Sequence, residues 1–157
     1  MKEKKQAAPA KPKARIRRIL VPVDFSDHSK DALRYAVDFG LIFDAELILV
    51  FVVESMGYPA DLGYGQLAIP TIERELSERG KAELGRLAEK HIGSKLAVKL
   101  HVPAGRPFVE IIRAAKEFEA DMIVIATHGH TGVEHIIFGS TAEKVVRKAP
   151  CPVLVVR

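Results

Sequence analysis

Five apolar runs punctuate the chain, and the polar stretches between them carry helical periodicity. Leu47 to Val53 and Met122 to Ile125 are continuous and rich in β-branched residues, the profile of parallel strands buried on both faces, and Arg17 to Val23 reads as the first strand. Pro152 to Val156 reads as a fifth strand. The run from Leu96 to Val102 alternates instead, with Leu96, Val98, Leu100 and Val102 apolar, and so predicts a strand at a sheet edge. After the first run, Ala32/Leu33, Ala36/Val37 and Gly40/Leu41 recur at three- and four-residue spacing, with Ser26 placed as N-cap and Asp27 in the first turn. A longer helix runs from Thr71 to about His91, with Ile72, Leu76, Leu84, Leu87 and Ala88 inward and Gly80 and Gly85 as weak points. Phe108, Ile111, Ile112, Ala115 and Phe118 mark a third helix, and Ser140 to Lys148 a fourth. The order βαβαβαβαβ predicts one α/β domain: a five-stranded parallel sheet with right-handed crossovers and helices on both faces.

The chemistry concentrates in Asp121 to Thr141, DMIVIATHGHTGVEHIIFGST. A loop that leaves a central strand and ends at a helix N-terminus offers unpaired N–H groups and the positive end of a helix dipole, which suits an anion. Gly129 and Gly139 would let the main chain approach a phosphate, and the Ser140 and Thr141 hydroxyls could donate to it. Spacing alone equally allows turn glycines and a capping Ser140.

The stretch ATHG, nine residues, then GS resembles the G-2x-G-9x-G-[S/T] signature of the ATP-binding branch of the universal stress protein family. Gly129, Gly139 and Ser140 match; Ala126 stands where the first glycine usually sits, and Ala142 where some members carry a hydroxyl. Ile19 to Ser26, ILVPVDFS, is similar to the family's first strand and its P-[TV]-D-x-S, and the similarity runs from about Ile16 to Arg157. The resemblance implies a Rossmann-like sheet of order 3-2-1-4-5, with a crevice between strands one and four where the two motifs meet. It implies an adenine nucleotide, ATP or AMP/ADP, against Pro22, Val23, Asp24, Val52, Ile125, Ala126, His128, Gly129, Gly139, Ser140 and Thr141, with Mg²⁺ carried by the phosphates. Read without it, Asp24 caps the next helix or orients Ser26, and Pro22, Val23 and Val52 are core. The resemblance also implies a homodimer paired through strand 153–156, which would cover an apolar edge. The expected role is a stress-response sensor or regulator. Slow ATP hydrolysis, nucleotidyl transfer or a nucleotide-free interaction module are the alternatives, since no general base or Walker lysine is evident.

Composition narrows the rest. The 157 residues, 48% hydrophobic and 28% charged, suit one globular domain, and the longest apolar run is far short of a membrane span. Residues 1–18 hold eight basic side chains against Glu3, a net +7, so the remaining residues carry −3 despite a pI near 9.2. We therefore expect no nucleic-acid surface on the fold, a disordered basic tail over 1–14 without assigned partner, and a domain over 15–157. No secretory leader is read, and the single Cys151 points to a reducing cytoplasm and a structural thiol. His128, His130 and His135 lack a recognisable ligand spacing, so no metal site is expected. Residues 55–70 read as a long loop over the sheet, and Arg106 as a solvated loop residue.

Overall fold

The computed structural model describes residues 15–54, 69–128 and 139–157. The elements are β1 (Arg18–Pro22), α1 (Asp27–Phe43), β2 (Glu46–Val50), β3 (Val53–Glu54), α2 (Ile69–His91), β4 (Val98–His101), β5 (Ala104–Gly105), α3 (Pro107–Glu117), β6 (Met122–Ala126), α4 (Ser140–Lys148) and β7 (Val153–Val156). The main sheet is wholly parallel with order β4-β2-β1-β6-β7, the expected 3-2-1-4-5 arrangement in the numbering of the five long strands. The tail at 1–14, most of the 55–70 loop (55–68), and Gly129, His130 and His135 lie outside the described residues.

Period-two alternation sorts the strand side chains between two cores. Val21, Leu47, Leu49 and Val124 join Leu33, Ala36 and Val37 of α1 and Leu84 and Leu87 of α2 on one face. Leu20, Ile48, Val50, Ile123 and Ile125 join Ile111 and Ala115 of α3 and Ala142 and Val145 of α4 on the other. Ile19, Leu20, Val21, Leu47, Ile48, Leu49, Ile123 and Val124 are fully buried, which is why these runs show no alternation in sequence. At the amino end of the sheet, Asp121 Oδ2 accepts from the N–H groups of Arg17 (2.8 Å) and Arg18 (3.0 Å), locking β1 beside β6.

Two details differ from the sequence reading. The second run does not continue as one strand to Val53: it breaks after Val50, and Val53–Glu54 pairs with Ala104–Gly105 in a separate two-stranded parallel sheet. Ser140 is not a cap, because Gly139 holds the N-cap position of α4 and Ser140 is its first helical residue.

Candidate functional site

The carboxyl ends of β1, β2 and β6 open into a cavity of about 660 Å³, within the range of small-molecule sites. Of the eleven residues singled out from sequence, Pro22, Val23, Asp24, Val52, Ile125, Ala126, His128, Gly139, Ser140 and Thr141 all line it. Gly129 lies outside the described residues, and Arg106 is exposed and does not line the cavity.

The turn out of β1 is built by side chains. Asp24 Oδ1 accepts from the Ser26 backbone N–H (3.0 Å) and from the Ser26 hydroxyl (2.5 Å). Ser26 Oγ in turn accepts from the Ser29 N–H (3.2 Å), capping α1. Asp24 therefore does orient Ser26, the structural role open to it from sequence, while also standing at the cavity wall. Between the two, Phe25 sits in the left-handed region at φ 66°, a conformation that costs a bulky residue about 1–3 kcal/mol. Its ring packs against Phe51 at 4.8 Å between centroids, and both line the cavity.

Gly139 is required by a close approach. Its φ of −64° is open to any residue, but its N–H donates to the Thr127 carbonyl at 2.7 Å, and a Cβ there would lie 2.9 Å from that same oxygen. The contact brings the start of α4 against the end of β6. No side chain of Gly139 caps α4, and Ser140, Thr141 and Ala142 of its first turn face the cavity. His128 Nδ1 lies 2.9 Å from Thr127 Oγ1, and its ring is 5.7 Å from that of His28.

The wall thus divides by chemistry. Val23, Val50, Val52, Ile111 and Ile125 with the Phe25–Phe51 pair form an apolar part suited to a flat ring. Asp24, Thr127, His128, Ser140 and Thr141 offer hydrogen-bonding groups, and the helix start favours an anion. Phe51, Arg79 and Glu83 escaped the sequence reading. Phe51 stood inside an apolar run indistinguishable from core, and Arg79 and Glu83 belong to the polar side of α2, whose register over the cavity no local pattern announces. Gly80 explains that approach: a Cβ on it would lie 2.6 Å from Phe51 Cδ1, so the missing side chain makes room for the ring.

Among the described residues no three His, Cys, Asp or Glu side chains gather as metal ligands. Cys151 is partly buried, and burial, reinforced by Asp121, raises its thiol above the ordinary range, opposite to an activated nucleophile. No described helix is long and apolar enough to cross a membrane.

Residues 15–157 match the sequence model of the universal stress protein family. The chain is 38% identical over 146 residues to the universal stress protein MJ0531 of Methanocaldococcus jannaschii, covering 90% of this chain and 82% of that protein. Its fold is similar to that of the universal stress protein UspA from Lactobacillus plantarum, with a TM-score of 0.75, 30% identity, and coverage of 92% of this chain and 99% of the other. A universal stress protein solved in complex with cAMP shares the fold at a TM-score of 0.58 and 24% identity, over 90% of this chain and 97% of its own.

Proposed function

This chain belongs to the universal stress protein family, and we propose that it is an adenine-nucleotide-binding member acting as a sensor or regulator rather than as a fast enzyme. The observation that carries the reading is the convergence, on one cavity, of the turn after β1 with the junction between β6 and α4. The base would lie against Val23, Val52 and Ile125, with Asp24 available to its amino group or to the ribose hydroxyls. The phosphates would meet His128, Ser140, Thr141 and the bare amides of the first turn of α4, with Mg²⁺ carried on the phosphates. The residues present fit such a group: hydroxyls and a helix start at one end, apolar walls at the other. Gly129 would complete the phosphate loop. A neighbour of the same fold was solved in complex with cAMP, in keeping with a nucleotide. Ala126 is buried at the end of β6, where its methyl bears on affinity rather than on the existence of the cavity.

Mass spectrometry of the denatured, freshly purified protein should release ATP, ADP or AMP, and calorimetry should detect binding of added Mg-ATP. No adenine-nucleotide binding at millimolar concentration sinks the reading. Turnover abolished by Ser140→Ala with binding intact would move the protein to the enzyme reading.

The proposed assembly is a homodimer through β7, in the cytoplasm. Pro152 and Val156 accept hydrogen bonds from Ile123 of β6 and from Thr127 just after it, so the period-two rule turns the N–H groups of Val153 and Val155 toward the outer edge. Val155→Pro removes one outward donor while sparing the pairing with β6. The expected result is a halved mass in light scattering, and an unchanged mass counts against pairing through this edge.

A further inference from the structure

We propose that His28 is a second phosphate-contacting residue of the site, acting with His128 across the cavity mouth; this rests on the nucleotide reading above. His28 occupies the first turn of α1 and is exposed, and no sequence motif assigns it a role. The fold nevertheless brings it, from 100 positions away, to a ring separation of 5.7 Å from His128, with the planes tilted by 48°. His128 lines the cavity, as do Asp24, Phe25 and Ser29 around His28; His28 itself is outside that lining and meets it through its ring contact with His128.

His28 is in the first turn of α1, and Ser140 and Thr141 of the first turn of α4 line the cavity that His128 lines; both helix starts favour negative charge. As imidazolium ions the two rings repel one another, and an anion between them converts that repulsion into two charge-assisted hydrogen bonds. His128 Nδ1 and Thr127 Oγ1 share a hydrogen bond of 2.9 Å, which holds the ring in place. Among the described residues, Asp27 bonds Lys30 at 3.0 Å and Asp24 Oδ1 takes both donors of Ser26. Asp27 and His28 attract one another when both are charged, and Arg79 and Glu83 line the same cavity from α2. A phosphate chain is the ligand group that fits two imidazoles beside the Ser140 and Thr141 hydroxyls.

The test is calorimetric titration of ATP and of adenosine into the wild-type chain and His28→Asn. Loss of one charge-assisted hydrogen bond to the phosphates should weaken ATP binding about tenfold or more. Adenosine, lacking phosphate, should bind both proteins alike. Equal ATP affinities, or an equal loss for adenosine, overturn the role of His28 alone. Failure of both proteins to bind ATP overturns the nucleotide reading, and this inference with it. His28 is exposed, and matching circular dichroism spectra establish that the variant is folded.

Discussion

Replacing Gly139 by alanine separates two explanations of the same glycine. If the position needed glycine for backbone freedom, alanine would be harmless, because a φ of −64° is ordinary for any residue. The structure places the constraint elsewhere. A Cβ at Gly139 meets the Thr127 carbonyl oxygen at 2.9 Å, whereas ordinary contact begins at 3.4 Å. Opening that gap moves Gly139 by about 0.5 Å and stretches its 2.7 Å hydrogen bond to Thr127 to about 3.2 Å, the limit of useful N–H···O geometry. Weakening the bond costs about 1 kcal/mol, and overpacking against rigid backbone about 1–2 more. The expected loss of stability is about 2–3 kcal/mol, or about 4–12 °C in Tm for a domain of this size. Because the same shift carries Ser140 and Thr141 away from β6, ATP affinity should fall at least about tenfold. Urea unfolding and calorimetry measure the two effects. A variant as stable as the parent, with undiminished ATP affinity, would refute the close-approach argument.

Gly80→Ala sets helix propensity, which favours alanine by about 1 kcal/mol, against a contact of 2.6 Å with Phe51. The contact should win, lowering Tm, because Phe51 is wedged against Phe25; a raised Tm would show that the ring yields freely. Ser26→Ala removes the cap of α1 and a partner of Asp24 together, and urea unfolding should report a loss of about 1–2 kcal/mol. Burial, with Lys90 beside it, holds His91 below the usual histidine range. The fold favours the neutral ring, so stability is full above about pH 6.5 and declines as pH falls below it. His91→Gln should flatten that decline in thermal melts recorded from pH 7.5 to 5.

The β6–α4 segment and the β1 turn were legible early because their chemistry is local. Ser26 could be read as a cap from its place before an apolar-periodic stretch, and the continuous runs at Ile19 to Val21 and Met122 to Ile125 announced strands covered on both sides. The two-residue pairing of Val53–Glu54 with Ala104–Gly105 was not legible, since two residues carry no period. Gly139 was recognisable as glycine in a motif, but its reason was not. That reason is the Thr127 carbonyl, which reaches it only once β6 and α4 have packed.

The order of apolar runs and helical stretches by itself determined a doubly covered parallel sheet, because each strand's burial on two faces is written in its own side chains. It also placed an anion-suited helix start after the fourth long strand, a property of a few consecutive residues. Only the tertiary structure decided that Phe51 slides under Gly80, that Asp121 clamps Arg17 and Arg18, and that His28 comes beside His128. These are meetings of residues about thirty to a hundred positions apart, set by the shared geometry of the sheet rather than by any sequence window.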